Sequence, residues 1–408
     1  MSGSTGSRRV RGFRLPWRSG GGTVRSGRLS RALDFHAGRI ILLMAGWFRR
    51  LAPGKMREPA SIGLCAFGAI GDALLSSAIV VDLKRRFPGA RVVMLLTKTN
   101  AGIAPLLPHI DGSVVLPLFS PLRAIGLIRR QRFDLLIDAN QWLRISAIYC
   151  AFGGAGYTVG FRTPNQSRHY AFDSVADHRA DRHELENYRG LAEAVGAVAD
   201  AVPRIAIPLQ EGGGGRGPAA APYVVLHPWA GGGRAELKEW PAEHWISLAR
   251  SLGEDGYGVV MTGAAGDAGK SSRLMAAAAR SGVYPIDLAG RLNLGRTASL
   301  LSDAELVVSV NTGIMHMAAA IGVPLVALHG PTNPKRWGPV SSHAINLVPE
   351  PVPDDVRVGY LNLGFEFPPD AEDCMKFIPV EKVLDASRTL LRKGIKSRLP
   401  ADLDATRA

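Results

Sequence analysis

From Ser61 onward the apolar positions follow two alternating periods. Ile62 to Phe67 is a short continuous apolar run, the pattern of a strand buried on both faces, and Gly68-Ala69-Ile70-Gly71-Asp72 interrupts it as a turn. Ala73 to Phe87 then brings apolar residues back every three or four positions as far as Pro88-Gly89, which predicts an amphipathic helix opened by Asp72. Arg91 to Leu96 is the next strand, completing a βαβ unit. Val114–Leu116 and Leu135–Ile137 continue the series on either side of a helical Pro121–Gln131. Residues 209–222 have the Gly-, Pro- and Ala-rich composition of a linker. A second series follows, with strands at Tyr223–His227, Tyr257–Thr262, Leu306–Ser309 and Pro324–His329 and helices at Pro241–Gly253, Asp267–Ser281 and Ile314–Ile321. The expected fold is α/β: two doubly wound halves, residues 58–208 and 223–390, facing each other across a cleft at the carboxyl ends of both sheets.

Composition agrees with two globular halves and adds one anomaly. The chain of 408 residues is 46% hydrophobic and 21% charged, which excludes a fibrous or wholly disordered chain. Its net charge is +14, but thirteen Lys/Arg and a single acid, Asp34, fall within residues 1–57, so all but +2 resides there. Residues 1–30 are rich in Ser, Gly and Arg and are expected to be disordered, as is a C-terminal tail, 391–408. Residues 31–51 differ: Leu33, Ile40–Leu43, Trp47, Phe48 and Leu51 lie among Arg31, Arg39, Arg49 and Arg50, the composition of a short basic helix lying on an anionic membrane surface. An extension without a role accounts for the same residues. The apolar run Ile40–Phe48 has nine residues where a bilayer span needs about 20, and no small-residue cleavage site follows it, so a cytoplasmic, at most membrane-peripheral protein is expected. No base-stacking aromatic array accompanies the basic charge, so a nucleic-acid partner is not expected. Cys65, Cys150 and Cys374 fit a reducing compartment and form no metal-ligand cluster.

Three turns carry candidate chemistry. Asn311-Thr312-Gly313 ends a strand and opens a short helix, where exposed N–H groups and the positive dipole favour a phosphate; Gly313 would let it approach the backbone. An ordinary capped helix explains the same residues. The neighbouring strand ends in Gly330-Pro331-Thr332 at the same edge. His227-Pro-Trp-Ala-Gly-Gly-Gly233 leads to Lys238, placed where a point positive charge could meet a diphosphate; a solvated loop lysine is the plainer reading. Asp72 either caps its helix or faces the cleft as a general base.

Together these stretches resemble glycosyltransferase family 9, the ADP-heptose:lipopolysaccharide heptosyltransferases of the two-Rossmann-domain GT-B fold. The likeness covers roughly Ile62 to Ala386: Gly71-Asp72, Lys238-x-Trp-Pro, Thr312-Gly313-x-x-His316, Gly330-Pro-Thr-Asn-Pro-x-Arg-Trp-Gly338 and Cys374-Met-Lys-Phe-Ile-Pro-Val-Glu-Lys-Val. The resemblance implies an inverting sugar transfer from a nucleotide donor, ADP-heptose, to a lipopolysaccharide-core or lipid-linked acceptor, by a monomer at the inner face of the inner membrane. It implies no tightly bound cofactor and no metal, the donor being a co-substrate. It assigns Asp72 as the catalytic aspartate and Asp267, in Thr-Gly-Ala-Ala-Gly-Asp, as the acid near the adenosine ribose. Lys238, Asn311, Thr312, Gly313, His316, Pro331 and Thr332 complete the donor side. The family usually has Asp-Thr-Gly where this chain has Asn311-Thr312-Gly313, and the loop before Lys238 is longer than usual. The alternatives are a transferase for another glycan, a nucleotide-sugar epimerase, or a nucleotide-binding module impaired in turnover.

Overall fold

Both expected halves are built on parallel sheets with the same strand order. The computed structural model describes residues 38–47, 51, 54–207, 222–353, 356–361, 367–368 and 371–394. The expected tails and linker lie outside these residues, except for a helix over residues 38–47 (α1), residues 51 and 54–57, residue 222, and residues 391–394.

The N-terminal sheet contains β1 (Ser61–Cys65), β2 (Arg91–Leu96), β3 (Gly112–Val115), β4 (Leu135–Asp138), β5 (Tyr157–Arg162) and β6 (Ser174–Asp177), in the order β3-β2-β1-β4-β5-β6. Every pairing is parallel; β1, at the centre, sets Ile62 opposite Val92 on one side and Leu135 on the other. Helices α2 (Ile70–Arg86) and α5 (Glu184–Glu193) cover one face of this sheet; α1, α3 (Pro121–Gln131) and α4 (Arg144–Phe152) cover the other. The burial explains why β1 and β2 read as continuous apolar runs: Ile62 and Leu64 face α2, whereas Cys65 and Phe67 face α3 and α4. Leu74, Ile79, Val80 and Leu83 of α2 are fully buried, each stabilising by roughly 1.5–3 kcal/mol relative to exposure.

The C-terminal sheet contains β7 (Tyr223–His227), β8 (Gly258–Met261), β9 (Ile286–Asp287), β10 (Leu306–Val310), β11 (Leu325–Leu328) and β12 (Ala344–Leu347), in the order β12-β11-β10-β7-β8-β9. Its helices are α6 (Ala242–Glu254), α7 (Ala268–Arg280), α8 (Leu294–Asp303), α9 (Gly313–Ile321), α10 (Pro334–Trp337) and α11 (Val380–Arg392). Numbered from its own first strand, this order matches that of the first sheet, so each half winds outward in both directions from a central pair. Those pairs, β1/β4 and β7/β10, are the switch points at which doubly wound sheets open a crevice for ligand. The two halves meet where α2 lies against α9, and apolar side chains of both helices belong to one continuous buried body.

One boundary needs correction. Helix α11 runs through Arg392, two residues past the expected end of the second half. Cys65 and Cys150, far apart in sequence, bring their thiols within 3.7 Å in the N-terminal core, where burial raises both pKa values and favours the protonated thiols.

Candidate active site

The turn after β1 places Asp72 at the first switch point. Helix α2 begins at Ile70, so Asp72 is its third residue and not its cap, as the sequence suggested. Ala-Ile-Gly already takes up the first turn, and the carboxylate reaches back: Asp72 Oδ2 accepts from the Ala69 N–H at 2.7 Å, satisfying one of the donors every helix start leaves over. A Cβ on Gly68 would lie 2.5 Å from that same oxygen, so only glycine leaves the carboxylate its position. Two asparagines hold the turn. Asn100 Nδ2 donates to Ala66 O at 2.8 Å and Gly68 O at 3.1 Å, and Asn140 Oδ1 accepts from the Phe67 N–H at 2.8 Å. Asn140 is tied in turn to Asp138, whose other oxygen pairs with Arg168 at 2.5 Å, both side chains fully buried. Scattered Asn and Arg residues carry no sequence signal of this kind.

The second switch point brings α9 to face this turn. Thr312 caps α9 without a side-chain hydrogen bond; its Oγ1 and His316 Nδ1 are buried polar atoms with no hydrogen-bond partner. A Cβ on Gly313 would lie 3.0 Å from Ile70 Cβ, and one on Gly71 would lie 2.8 Å from His316 Cδ2. The side of Gly313 on which a side chain would stand is filled by α2, and the two glycines let two helix N-termini come together. His316 therefore packs on the N-terminal half, one residue from Asp72. Burial, reinforced by His183 and His329, lowers its pKa to about 3, so it is neutral at physiological pH.

Asn311 does work an aspartate could not do. Its Nδ2 donates to Trp337 O at 2.9 Å and to His329 Nδ1 at 3.1 Å. His329 passes the bond on through Nε2–H to Asn346 Oδ1 at 2.9 Å, and burial holds it neutral with a pKa of about 4. A carboxylate at position 311 has no hydrogen to offer the Trp337 carbonyl. The asparagine thus fixes the end of β10 to α10.

The other donor-side residues are distributed around this centre. Lys238 ends a short helical turn, Ala235–Lys238, and folds back over the glycine loop after β7 to donate to Gly231 O. Asp267 repeats the geometry of Asp72: its Oδ2 accepts from the Ala264 N–H at 2.9 Å, ahead of α7. Pro331 and Thr332 are buried beneath residues 359–361, where Leu361 N–H donates to Pro331 O at 2.7 Å. Their turn is a packed wall rather than an open anion cradle. Among the described residues no group of three His, Cys, Asp or Glu is arranged to hold a metal ion.

A buried ion pair crosses between the halves. Arg336 of α10 meets Glu184 of α5 at 2.6 Å, with the side chains 1% and 0% exposed, and donates to Arg179 O at 3.0 Å. Burial alone would raise the Glu184 pKa, but the contacts with His178, Arg336 and Gln141 more than offset it and hold the carboxyl below its usual range. Beside it, His183 Nε2 donates to Gly338 O at 2.9 Å. Tyr188, fully buried next to Glu184, titrates well above its usual value, first through burial and then through the charges of Asp72 and Glu184.

Comparison with known proteins places this arrangement. The family model described as glycosyltransferase family 9 (heptosyltransferase) matches residues 122–356, more than half of the chain, and the chain belongs to that family. Lipopolysaccharide heptosyltransferase 2 of Escherichia coli K12 is 27% identical over 297 residues, covering 67% of this chain and 84% of that protein. The solved structure of E. coli ADP-heptose lipopolysaccharide heptosyltransferase II superposes with a TM-score of 0.65 at 21% identity, over 82% of this chain and 99% of the other. That of E. coli heptosyltransferase WaaC with ADP gives 0.60 at 17% identity, over 82% and 99%. The protein is thus an enzyme of the glycosyltransferase class, with two facing Rossmann-like domains in the GT-B arrangement.

Proposed function

We propose that this enzyme transfers heptose from ADP-heptose to a lipopolysaccharide-core acceptor with inversion at the anomeric carbon. The observation that carries the reading is the meeting of two helix N-termini at the two switch points, with a carboxylate in the first turn of one and an unpartnered hydroxyl at the head of the other. The acceptor hydroxyl oxygen attacks the anomeric carbon while the bond from that carbon to the diphosphate oxygen breaks and its electron pair leaves with ADP. Asp72 takes the hydroxyl proton. The N-terminus of α9 with Thr312, and Lys238 from the glycine loop, face the charge that develops on the diphosphate. Asp267, in the turn after β8, suits a ribose hydroxyl. The names of the relatives support heptose and ADP as the donor's parts, and the fit of Asn311 to its neighbours speaks against a site decayed from Asp-Thr-Gly.

The test is transfer from ADP-heptose to a heptose-deficient core lipid by the purified full chain, beside Asp72→Asn and Asp72→Ala. Loss of about 10²–10⁴ in kcat, with ADP affinity within a few-fold, is expected for removal of a general base. Undiminished transfer in both variants would remove Asp72 from that role, and tight ADP-heptose binding without transfer to any core acceptor would make the protein a binding module.

A further inference from the structure

We propose that the outer layer of the N-terminal half, formed by α1, α3 and α4, is a docking surface for an anionic lipid bilayer. Helix α1 is apolar nearly all round. At about 100° per residue, Gly38, Leu42 and Ala45 share one side and are buried in the domain, while Ile40, Leu43, Met44 and Trp47 share the opposite side. All four of the latter are 43–61% exposed. The helix is firmly seated, since a Cβ on Gly46 would lie 2.8 Å from Tyr170, so its outward apolar side is a fixed feature of the surface. Phe119 and Leu122, at the head of α3 in the same layer, are 65% and 88% exposed. Phe119 follows β3 at the carboxyl edge of the sheet, the edge at which Asp72 lies.

The charge of the layer selects the occupant. Residues 38–47, α3, α4 and the turn Arg168–Ala171 contain no Asp or Glu, and Arg39, Arg123, Arg129 and Arg130 are exposed among them. The opposite face of the sheet mixes both signs, with Asp72 and Asp82 beside Lys84, Arg85 and Arg86 on α2 and Glu184, Glu186 and Glu193 beside Arg189 on α5. Residues 1–37 hold eight arginines and one acid, so neither that segment nor a second copy of the layer complements an arginine surface. An anionic lipid surface complements both, and the apolar side chains between the arginines suit the headgroup boundary rather than a purely polar polyanion. The sequence expected a membrane-surface segment over residues 31–51; the structure shows that α1 spends one apolar side on its own domain and shares the remaining surface with α3. The proposal deepens the transfer reading by giving a lipid-anchored acceptor a surface to approach, and it rests on that reading for its purpose alone.

The test uses the full chain, without donor or acceptor, sedimented with vesicles of phosphatidylcholine alone or with 30 mol% phosphatidylglycerol. Binding is expected only to the anionic vesicles and to weaken in high salt. The pair Ile40→Ser and Leu43→Ser, and separately Leu122→Ser, should lower partitioning, the pair by at least about ten-fold. Each of Arg123→Ser and Arg130→Ser should lower it about five-fold. Melting temperature and transfer to a detergent-dispersed acceptor should stay at wild-type levels, because these side chains are exposed and none belongs to the residues assigned to the site. Equal partitioning of wild type and variants overturns the proposal. Loss in the arginine variants alone overturns it in favour of a polyanion site, and a change from dimer to monomer in the apolar variants overturns it in favour of self-association. Because no transfer is measured in the vesicle assay, failure there is distinct from failure of the catalytic reading.

Discussion

Arg336→Met strands the Glu184 carboxylate in the interface between the halves. At an effective dielectric of about 20, unit charges at the 2.6 Å of this pair attract by about 6 kcal/mol. Removing one partner of a buried pair typically costs about 3–5 kcal/mol, because the other charge stays desolvated. The location alters how that cost appears. A carboxylate stranded in a domain core has no way out, whereas one stranded between domains regains water when the domains part. The loss should therefore show as a displaced closure equilibrium of about two to three and a half powers of ten, with little change in the unfolding of either half. Hydrogen–deuterium exchange should speed up in the first turns of α2 and α9, and the KM for the nucleotide sugar should rise more than kcat falls. Glu184→Gln combined with Arg336→Met should recover most of the loss, since two neutral side chains leave no unpaired charge, giving a coupling energy of at least about 2 kcal/mol. Additive single effects, or unchanged exchange in Gly313–Ile321 and Ile70–Arg86, would refute the reasoning.

Three further outcomes follow from the geometry. Asn311→Asp loses the donor to Trp337 O and should lower stability by about 1–3 kcal/mol at pH 8. The new carboxylate raises the His329 pKa, so the gap between variant and wild type should narrow as pH falls towards 5.5, and a pH-independent gap in thermal melts contradicts the proposed donor role. Gly71→Ala puts a Cβ against His316 while adding a better helix former, so transfer should fall at least about ten-fold with the melting temperature unchanged or slightly raised; wild-type turnover would show that the helix contact is not needed. His227, His316 and His329 have folded pKa values of about 4, 3 and 4 against about 6.5 when unfolded. The unfolded chain binds more protons in that window, so stability should be full above about pH 6.5 and decline from there towards pH 4; melting temperatures that hold constant between pH 7 and 5 disprove this.

The βαβ pattern of the two halves was legible because both strand faces are buried and glycine-rich turns punctuate the runs. The three turns that build the site stood out for the same reason: each joins a strand end to a helix start. Other features depend on partners remote in sequence. Arg336 lay inside a motif with no visible role, because Glu184 and His178 come from the other half. Asn100 and Asn140 are single polar residues in loops, and only the folded chain shows that they brace the Asp72 turn. Asn311 looked like a lost charge until Trp337 O and His329 appeared beside it. The contact of Gly313 with Ile70 carries no sequence signal, because a helix start beside a glycine suggests a ligand before it suggests another helix.

The meeting of α2 and α9 has a consequence for reading variants at Asp72. Each helix start carries roughly half a positive elementary charge, so two brought together repel unless something negative stands between or beside them. Asp72, in the first turn of α2, is such a counter-charge built into the protein, and a bound diphosphate would be another. Removing the carboxylate therefore does more than delete a proton acceptor: it leaves two like poles facing each other and makes the empty enzyme harder to close, while nucleotide restores the balance. An Asp72→Asn enzyme should accordingly depend more steeply on nucleotide for domain closure than the wild type does, a ligand-gated compaction that small-angle scattering can follow without any sugar transfer taking place.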